Sequence, residues 1–74
     1  MPMLIDVRSQ EEYAEGHRND AINWPLNKIM GGDFPNVSKD ENIVLYCFSG
    51  SRAHVAKSIL EQAGFLNVEN LGGL

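Results

Sequence analysis

The sequence predicts an α/β fold: one domain, residues 1–74, with a small parallel sheet of about four strands and helices on both faces. Three observations predict it. Short apolar runs alternate with segments of helical character, which implies right-handed βαβ crossovers. One run, Ile43-Val44-Leu45-Tyr46, is uninterrupted, as in strands buried on both faces of a parallel sheet. Hydrophobic residues at 43% and charged residues at 22% lie within the globular range.

The elements follow in order. Residues 3–7 (MLIDV) form a short apolar run that fits a buried strand. Ser9-Gln10-Glu11-Glu12 has the form of a capping box, in which the Ser9 oxygen accepts from the Glu12 amide and the Glu12 carboxylate reaches back; a short helix ending near Gly16 follows. Residues 21–24 read as a second strand closed by Pro25, and residues 26–30 as a helical turn before the loop Gly31-Gly32-Asp33-Phe34-Pro35. Residues 43–46 are the central strand. Residues 52–63 place Val55, Ala56, Ile59, Leu60 and Ala63 at helical spacing, with Lys57, Glu61 and Gln62 turned outward. Gly64 supplies a left-handed stop and Phe65 a closing apolar contact. Residues 67–71 are a last strand, ended by Gly72-Gly73.

Composition narrows the function. Six basic residues against ten acidic ones give a net charge of −4, which argues against nucleic acid or an anionic membrane surface as partner. Any anion must be held locally. No run approaches the ~20 apolar residues of a membrane span, and residues 1–6 lack the basic and apolar regions of a leader, so a cytoplasmic location is expected, or a periplasmic one if a leader has been removed. Cys47 is the only cysteine. It has no disulfide partner within the chain, and no Cys/His spacing resembles a zinc site.

Cys47 ends the central strand and opens Phe48-Ser49-Gly50-Ser51-Arg52, where a helix begins. Ligands of such sheets bind beyond the carboxyl ends of the strands. Backbone N–H groups converge there and the helix start carries partial positive charge, so thiolate is favoured over thiol. Gly50 lets the backbone curl around an anion, Ser49 and Ser51 add hydroxyl donors, and Arg52 contributes a permanently charged fork. The expected product of these residue types is a cradle that stabilises a sulfur anion and orients an anionic substrate against it.

These segments together resemble the rhodanese-like sulfurtransferases, particularly the small single-domain phage-shock type. The matching stretches are Leu4-Ile5-Asp6-Val7-Arg8, Glu12-Tyr13 with Gly16-His17, Ala21-Ile22-Asn23 with Pro25-Leu26, Tyr46-Cys47 with Gly50 and Arg52, and Gly64-Phe65, Asn67-Val68 and Gly72-Gly73. The resemblance implies that Cys47 attacks the sulfane sulfur of thiosulfate or a similar donor, becomes a persulfide, and passes the sulfur to cyanide or a thiol, including a protein sulfur acceptor. It implies that the amides of Phe48, Ser49, Gly50, Ser51 and Arg52 hold the persulfide while Arg52 faces the donor's sulfonate, with no metal and no organic cofactor. Two other readings stand beside it: a non-catalytic sulfur-carrier or protein-interaction module, and a redox-sensing thiol. Related folds carry phosphatases with a Cys-x5-Arg loop; the Cys-x4-Arg spacing here is one residue tighter and suits a single sulfur atom better than a phosphoryl group.

The chain departs from the family pattern at His17-Arg18-Asn19-Asp20-Ala21, where Arg18 replaces an aliphatic residue and Asp20 a glycine, so an altered turn is expected. A minimal or trimmed form is expected beside larger relatives, without their opening strand and helix and their closing tryptophan-containing segment and final helix. Asp6 and Arg8 are expected to brace the strand end by ion pairing, His17 and His54 to be structural or surface groups, and Trp24 to pack in or beside the core. Glu11, Glu12 and Glu15 read as a solvated helix face.

Overall fold

The computed structural model describes residues 2–73. Its elements are β1 (Met3–Asp6), α1 (Gln10–Glu15), β2 (Ile22–Asn23), α2 (Leu26–Met30), β3 (Asn42–Cys47), α3 (Ser51–Gln62) and β4 (Asn67–Gly73). All strand pairs are parallel, in the order β2-β1-β3-β4. Register is fixed by apolar side chains, with Ile5 of β1 opposite both Ile22 and Leu45. The chain steps one way from β1 to β2 and the other way to β3 and β4. Right-handed crossovers therefore put α1 on one face and α2 and α3 together on the other.

The α2/α3 face carries the core. Ile5, Ile43, Leu45 and Cys47 point into it and meet Ile29 of α2, Ala53, Ala56 and Leu60 of α3, and Phe65 and Val68 beyond. On α3 the buried stripe is Ala53, Ala56 and Leu60, flanked by half-buried Ile59 and Ala63. Val55, expected inside, is 41% exposed. It lies a full helical step of about 100° from Ala56, beyond the edge of the apolar stripe. The helix ends as expected: the Gly64 N–H donates to the Glu61 carbonyl and the Phe65 N–H to the Leu60 carbonyl, with Gly64 at φ 104°. This is the paired bonding of a Schellman cap. Trp24 packs against the core edge, its indole N–H donating to the Asp33 carbonyl at 2.7 Å.

The opposite face is polar at its upper end. Asp6 and Tyr46 have no exposed surface and Arg8 has little. Arg8 forms a fork on Asp6 through Nε and a terminal nitrogen, the latter at 2.7 Å, and also reaches the Gly16 carbonyl at 2.6 Å. The Tyr46 hydroxyl accepts the Arg18 N–H at 2.9 Å, and the Arg18 guanidinium lies 5.4 Å from the ring centre. The pair Asp6–Arg8 thus braces the strand end as the sequence suggests, tying β1 to the end of α1 and, with Arg8 over the Tyr46 ring at 5.9 Å, to the end of β3.

Two local features matter. Residues 67–71 were expected to complete the last strand, but β4 runs on through Gly72 and Gly73, which pair with Tyr46 and Cys47 after a bulge that leaves Leu71 unpaired. In the turn before β2, Asp20 adopts φ 68°. A left-handed backbone is strained for a side chain, though Asp tolerates it better than most. Among the described residues no helix is long and apolar enough to cross a membrane. Replacing Asp20 with glycine removes a left-handed strain of about 1–2 kcal/mol against an entropic cost of about 0.5–1 kcal/mol for glycine, and Asp20→Gly is expected to stabilise the fold by up to about 1 kcal/mol in urea unfolding.

Candidate active site

The site grows out of the end of β3. Cys47 is the last residue of the strand and Ser51 the first of α3, so three residues make the turn. Gly50 occupies the cap position with φ 96°, a left-handed value that glycine adopts without cost. That conformation turns the Gly50 N–H back onto the cysteine, where it donates to Sγ at 2.9 Å; the Ala53 N–H, one turn into α3, donates at 3.4 Å.

Cys47 is fully buried. Burial is the largest single influence on the thiol and resists ionisation, but the N–H groups of Ala53, Gly50, Ser49 and Arg52 together outweigh it, and the pKa lies below the ordinary cysteine value. The sulfur is therefore apolar on one side and lined by amide dipoles on the other. The hydroxyls of Ser49 and Ser51 face each other at 3.2 Å instead of the sulfur, and the Phe48 side chain is 69% exposed at the rim.

Arg52 does not lie free above this ring. Its two terminal nitrogens grip both oxygens of Glu12 on α1, at 2.7 and 3.0 Å. Glu12, the third residue of α1, is at the same time the closing residue of the capping box, its carboxylate accepting the Ser9 N–H at 3.1 Å while its own N–H donates to Ser9 Oγ at 3.2 Å. One carboxylate thus closes α1 and holds the arginine of α3. The underside of the loop rests on β4: a Cβ on Gly50 would come within 3.4 Å of the Gly72 Cα, and one on Gly73 within 2.5 Å of the Phe48 carbonyl oxygen. Ser49 forms a bridge with Gly73. Among the described residues no group of three or more His, Cys, Asp or Glu side chains could hold a metal ion.

A family model described as the rhodanese-like domain matches residues 1–74. The chain belongs to the rhodanese-like domain family. The chain is 39% identical over 71 residues to the thiosulfate sulfurtransferase PspE of Escherichia coli K12, covering 95% of this chain and 68% of that one. A sulfurtransferase of Allochromatium vinosum is 35% identical over 71 residues, covering 96% of this chain and 65% of that one. A solved structure described as a rhodanese with anions from E. coli superposes with a TM-score of 0.86 at 36% identity, over 100% of this chain and 88% of that one.

Within this rhodanese-like site the residues from Cys47 to Arg52 come together as one loop. Three participants were not foreseen. Ala53 was passed over because its contribution is a main-chain N–H, which no side-chain pattern marks. Glu12 read as part of a solvated acidic face; the only signal of a second role was that the capping box already fixed its rotamer. Asn70 holds the loop from below and carries no sequence signal at all. His17 stacks on Tyr13 and His54 is exposed on α3, in keeping with the structural and surface roles expected of them.

The ion pair gives a pH signature. Glu12 is pulled from 4.5 down to about 2, first by the bond from Arg52 and then by the Ser9 N–H. A depressed carboxylate contributes stability that is complete above the unfolded-state value and lost as pH falls through the folded-state value. The contribution should therefore fade between about pH 4.5 and pH 2. Glu12→Gln keeps a capping-box residue but removes the charge. Its urea midpoint is expected to lie slightly below that of the unmodified chain at pH 7 and to fall less on acidification across that window.

Proposed function

We propose that this rhodanese-like chain is a sulfurtransferase that moves a sulfane sulfur from thiosulfate, or a similar anionic donor, to cyanide or a thiol through a persulfide on Cys47. The observation that carries the proposal is the convergence of the Gly50 and Ala53 N–H groups on Cys47 Sγ, which favours a thiolate in a chain of net charge −4. Similarity to proteins named thiosulfate sulfurtransferase and sulfurtransferase supports the same chemistry.

The chemistry balances without an external oxidant. The Cys47 thiolate attacks the outer sulfur of thiosulfate, a new S–S bond forms, and the bond to the sulfonate sulfur breaks with its electron pair leaving as sulfite. Cyanide or a thiolate then attacks the outer persulfide sulfur, and Cys47 leaves as the thiolate again. No general base is required, because the nucleophile is already deprotonated in the reactive state. The backbone amides from Phe48 to Arg52 surround the outer sulfur, and Arg52 meets the donor's anionic group once it shares or releases Glu12. Since Cys47 has no exposed surface, the donor reaches it by parting the exposed loop residues Phe48, Ser49 and Ser51. A ring closed by four intervening residues fits one sulfur atom, whereas phosphoryl transfer needs in-line approach of a larger tetrahedral group.

Mass spectrometry of the intact chain after thiosulfate treatment tests the proposal. A gain of about 32 Da that cyanide removes, and that Cys47→Ser never acquires, is the expected result. No sulfur gain, or a gain that survives in Cys47→Ser, overturns it. Sulfur loading without turnover of thiosulfate would assign the chain to the sulfur carriers instead.

A further inference from the structure

The loop is held from below by a side chain outside it. Asn70, at the end of the regular part of β4, uses both ends of its amide: Nδ2 donates to the Gly50 carbonyl at 3.1 Å, and Oδ1 accepts the Gly72 N–H at 2.8 Å. Asn70 pairs with Leu45, and Gly72 with Tyr46, so the acceptor end spans the bulge that ejects Leu71 from the ladder. The donor end fixes the peptide that follows Gly50. That same glycine sends its N–H to Cys47 Sγ and its carbonyl to the His54 N–H at the start of α3.

A left-handed glycine is conformationally permissive, so nothing in its own chemistry holds it in one orientation. Its carbonyl has two donors, one from the helix and one from Asn70, and only the second anchors the loop to the sheet. We propose that Asn70 is a positioning residue for the sulfur site: by clamping the Gly50 carbonyl to the β4 bulge, it keeps the Gly50 N–H aimed at Cys47. Asn70 touches neither the sulfur nor the substrate. Its effect passes through one residue, from the peptide that follows Gly50 to the peptide that precedes it.

The charged and titratable groups on the surrounding elements include Asp6 and Arg8 at the end of β1, Glu12 on α1, Arg18 before β2, Tyr46 on β3, Arg52 and His54 on α3, and Glu69 beside Asn70 on β4. Two of these are paired with two others, Asp6 with Arg8 and Glu12 with Arg52, and Arg18 spends a terminal nitrogen on the Gly73 carbonyl at 3.1 Å. None of them contacts the Asn70 amide, whose partners are both main-chain atoms. The inference deepens the sulfurtransferase reading, since it concerns how the proposed nucleophile is kept ionised, but the thiol can be titrated with no sulfur donor present. Failure of sulfur transfer and failure of this inference are thus separately visible.

The test is the pH dependence of Cys47 alkylation by iodoacetamide in the full chain, with folding followed by circular dichroism. Asn70→Ala is expected to move the midpoint upward by roughly half to one pH unit and to slow alkylation at pH 7 by about 3- to 10-fold, the scale of one lost hydrogen bond. Asn70→Leu removes both amide contacts while keeping the side-chain size and adding no charge that would itself repel a thiolate, so it is expected to shift the midpoint the same way, and it carries the test if the alanine variant does not fold. Asn67→Ala is the control: Asn67 lies on the same strand and its amide donates to the Asp40 carbonyl at 2.9 Å, far from the loop. That variant is expected to leave the midpoint in place. A folded Asn70 variant with the unmodified midpoint overturns the inference, and so does an equal shift in Asn67→Ala, which would reduce Asn70 to a strand-stabilising residue.

Discussion

The contact on which the rest of the structure depends is the one between the Gly50 N–H and Cys47 Sγ at 2.9 Å. A thiol buried at the end of a central strand resists ionisation, because the apolar side of its environment disfavours charge. Only donors already in place, and unable to relax away, can reverse that preference. The fold supplies them by bending the chain sharply after β3 and starting α3 at once, so that amides of the turn and of the first helical turn point at the same atom. Sheet, helix and loop are each ordinary; their junction is what brings the amides onto the sulfur.

Keeping the junction tight requires the surrounding backbone to come unusually close. Gly50 and Gly72 approach to a distance where a Cβ would touch, and Gly73 has no room for one beside the Phe48 carbonyl. The bulge in β4 makes this possible by swinging the last two residues of the strand under the loop, and Asn70 bridges the gap that the bulge opens. Above, the Arg52–Glu12 pair joins α3 to α1 across the top of the sheet, and the buried Asp6–Arg8 pair locks the end of β1. The loop is therefore constrained on the strand side by main-chain contact and on the helix side by charge.

Much of this was legible in the sequence, and the legible part has a common character. Ser9 to Glu12 announced the capping box, Gly64-Phe65 the helix stop, and residues 43–46 the central strand, because in each case one short stretch contains the whole physical cause. What was not legible depends on residues far apart in the chain. Val55 sits at the right spacing for burial, yet the stripe that decides its exposure is centred on Ala56 and Leu60 by their packing on β3. Glu12 and Arg52 are separated by 40 positions, and Asn70 and Gly50 by 20. Asp20 is intermediate: the sequence marks a glycine position filled by another residue, but only the backbone shows that this residue takes a left-handed conformation.

The division of labour between dipoles and charges follows from these placements. If the Arg52 guanidinium were the main stabiliser of the thiolate, its engagement by Glu12 would leave Cys47 close to an ordinary thiol. The pKa is lowered despite that engagement, and the influences that lower it most are backbone N–H groups, beginning with Ala53 and Gly50. Fixed dipoles inside a buried site are weakly screened by salt and cannot be neutralised by a neighbouring carboxylate. The guanidinium is held at the rim in a partly exposed pair with Glu12, and in the proposed reaction it would exchange that carboxylate for the anionic donor. Under the proposed function, ionisation of the sulfur and recognition of an anionic donor fall to different parts of the loop, which would let a chain with an acidic overall balance carry out both without any broad positive surface.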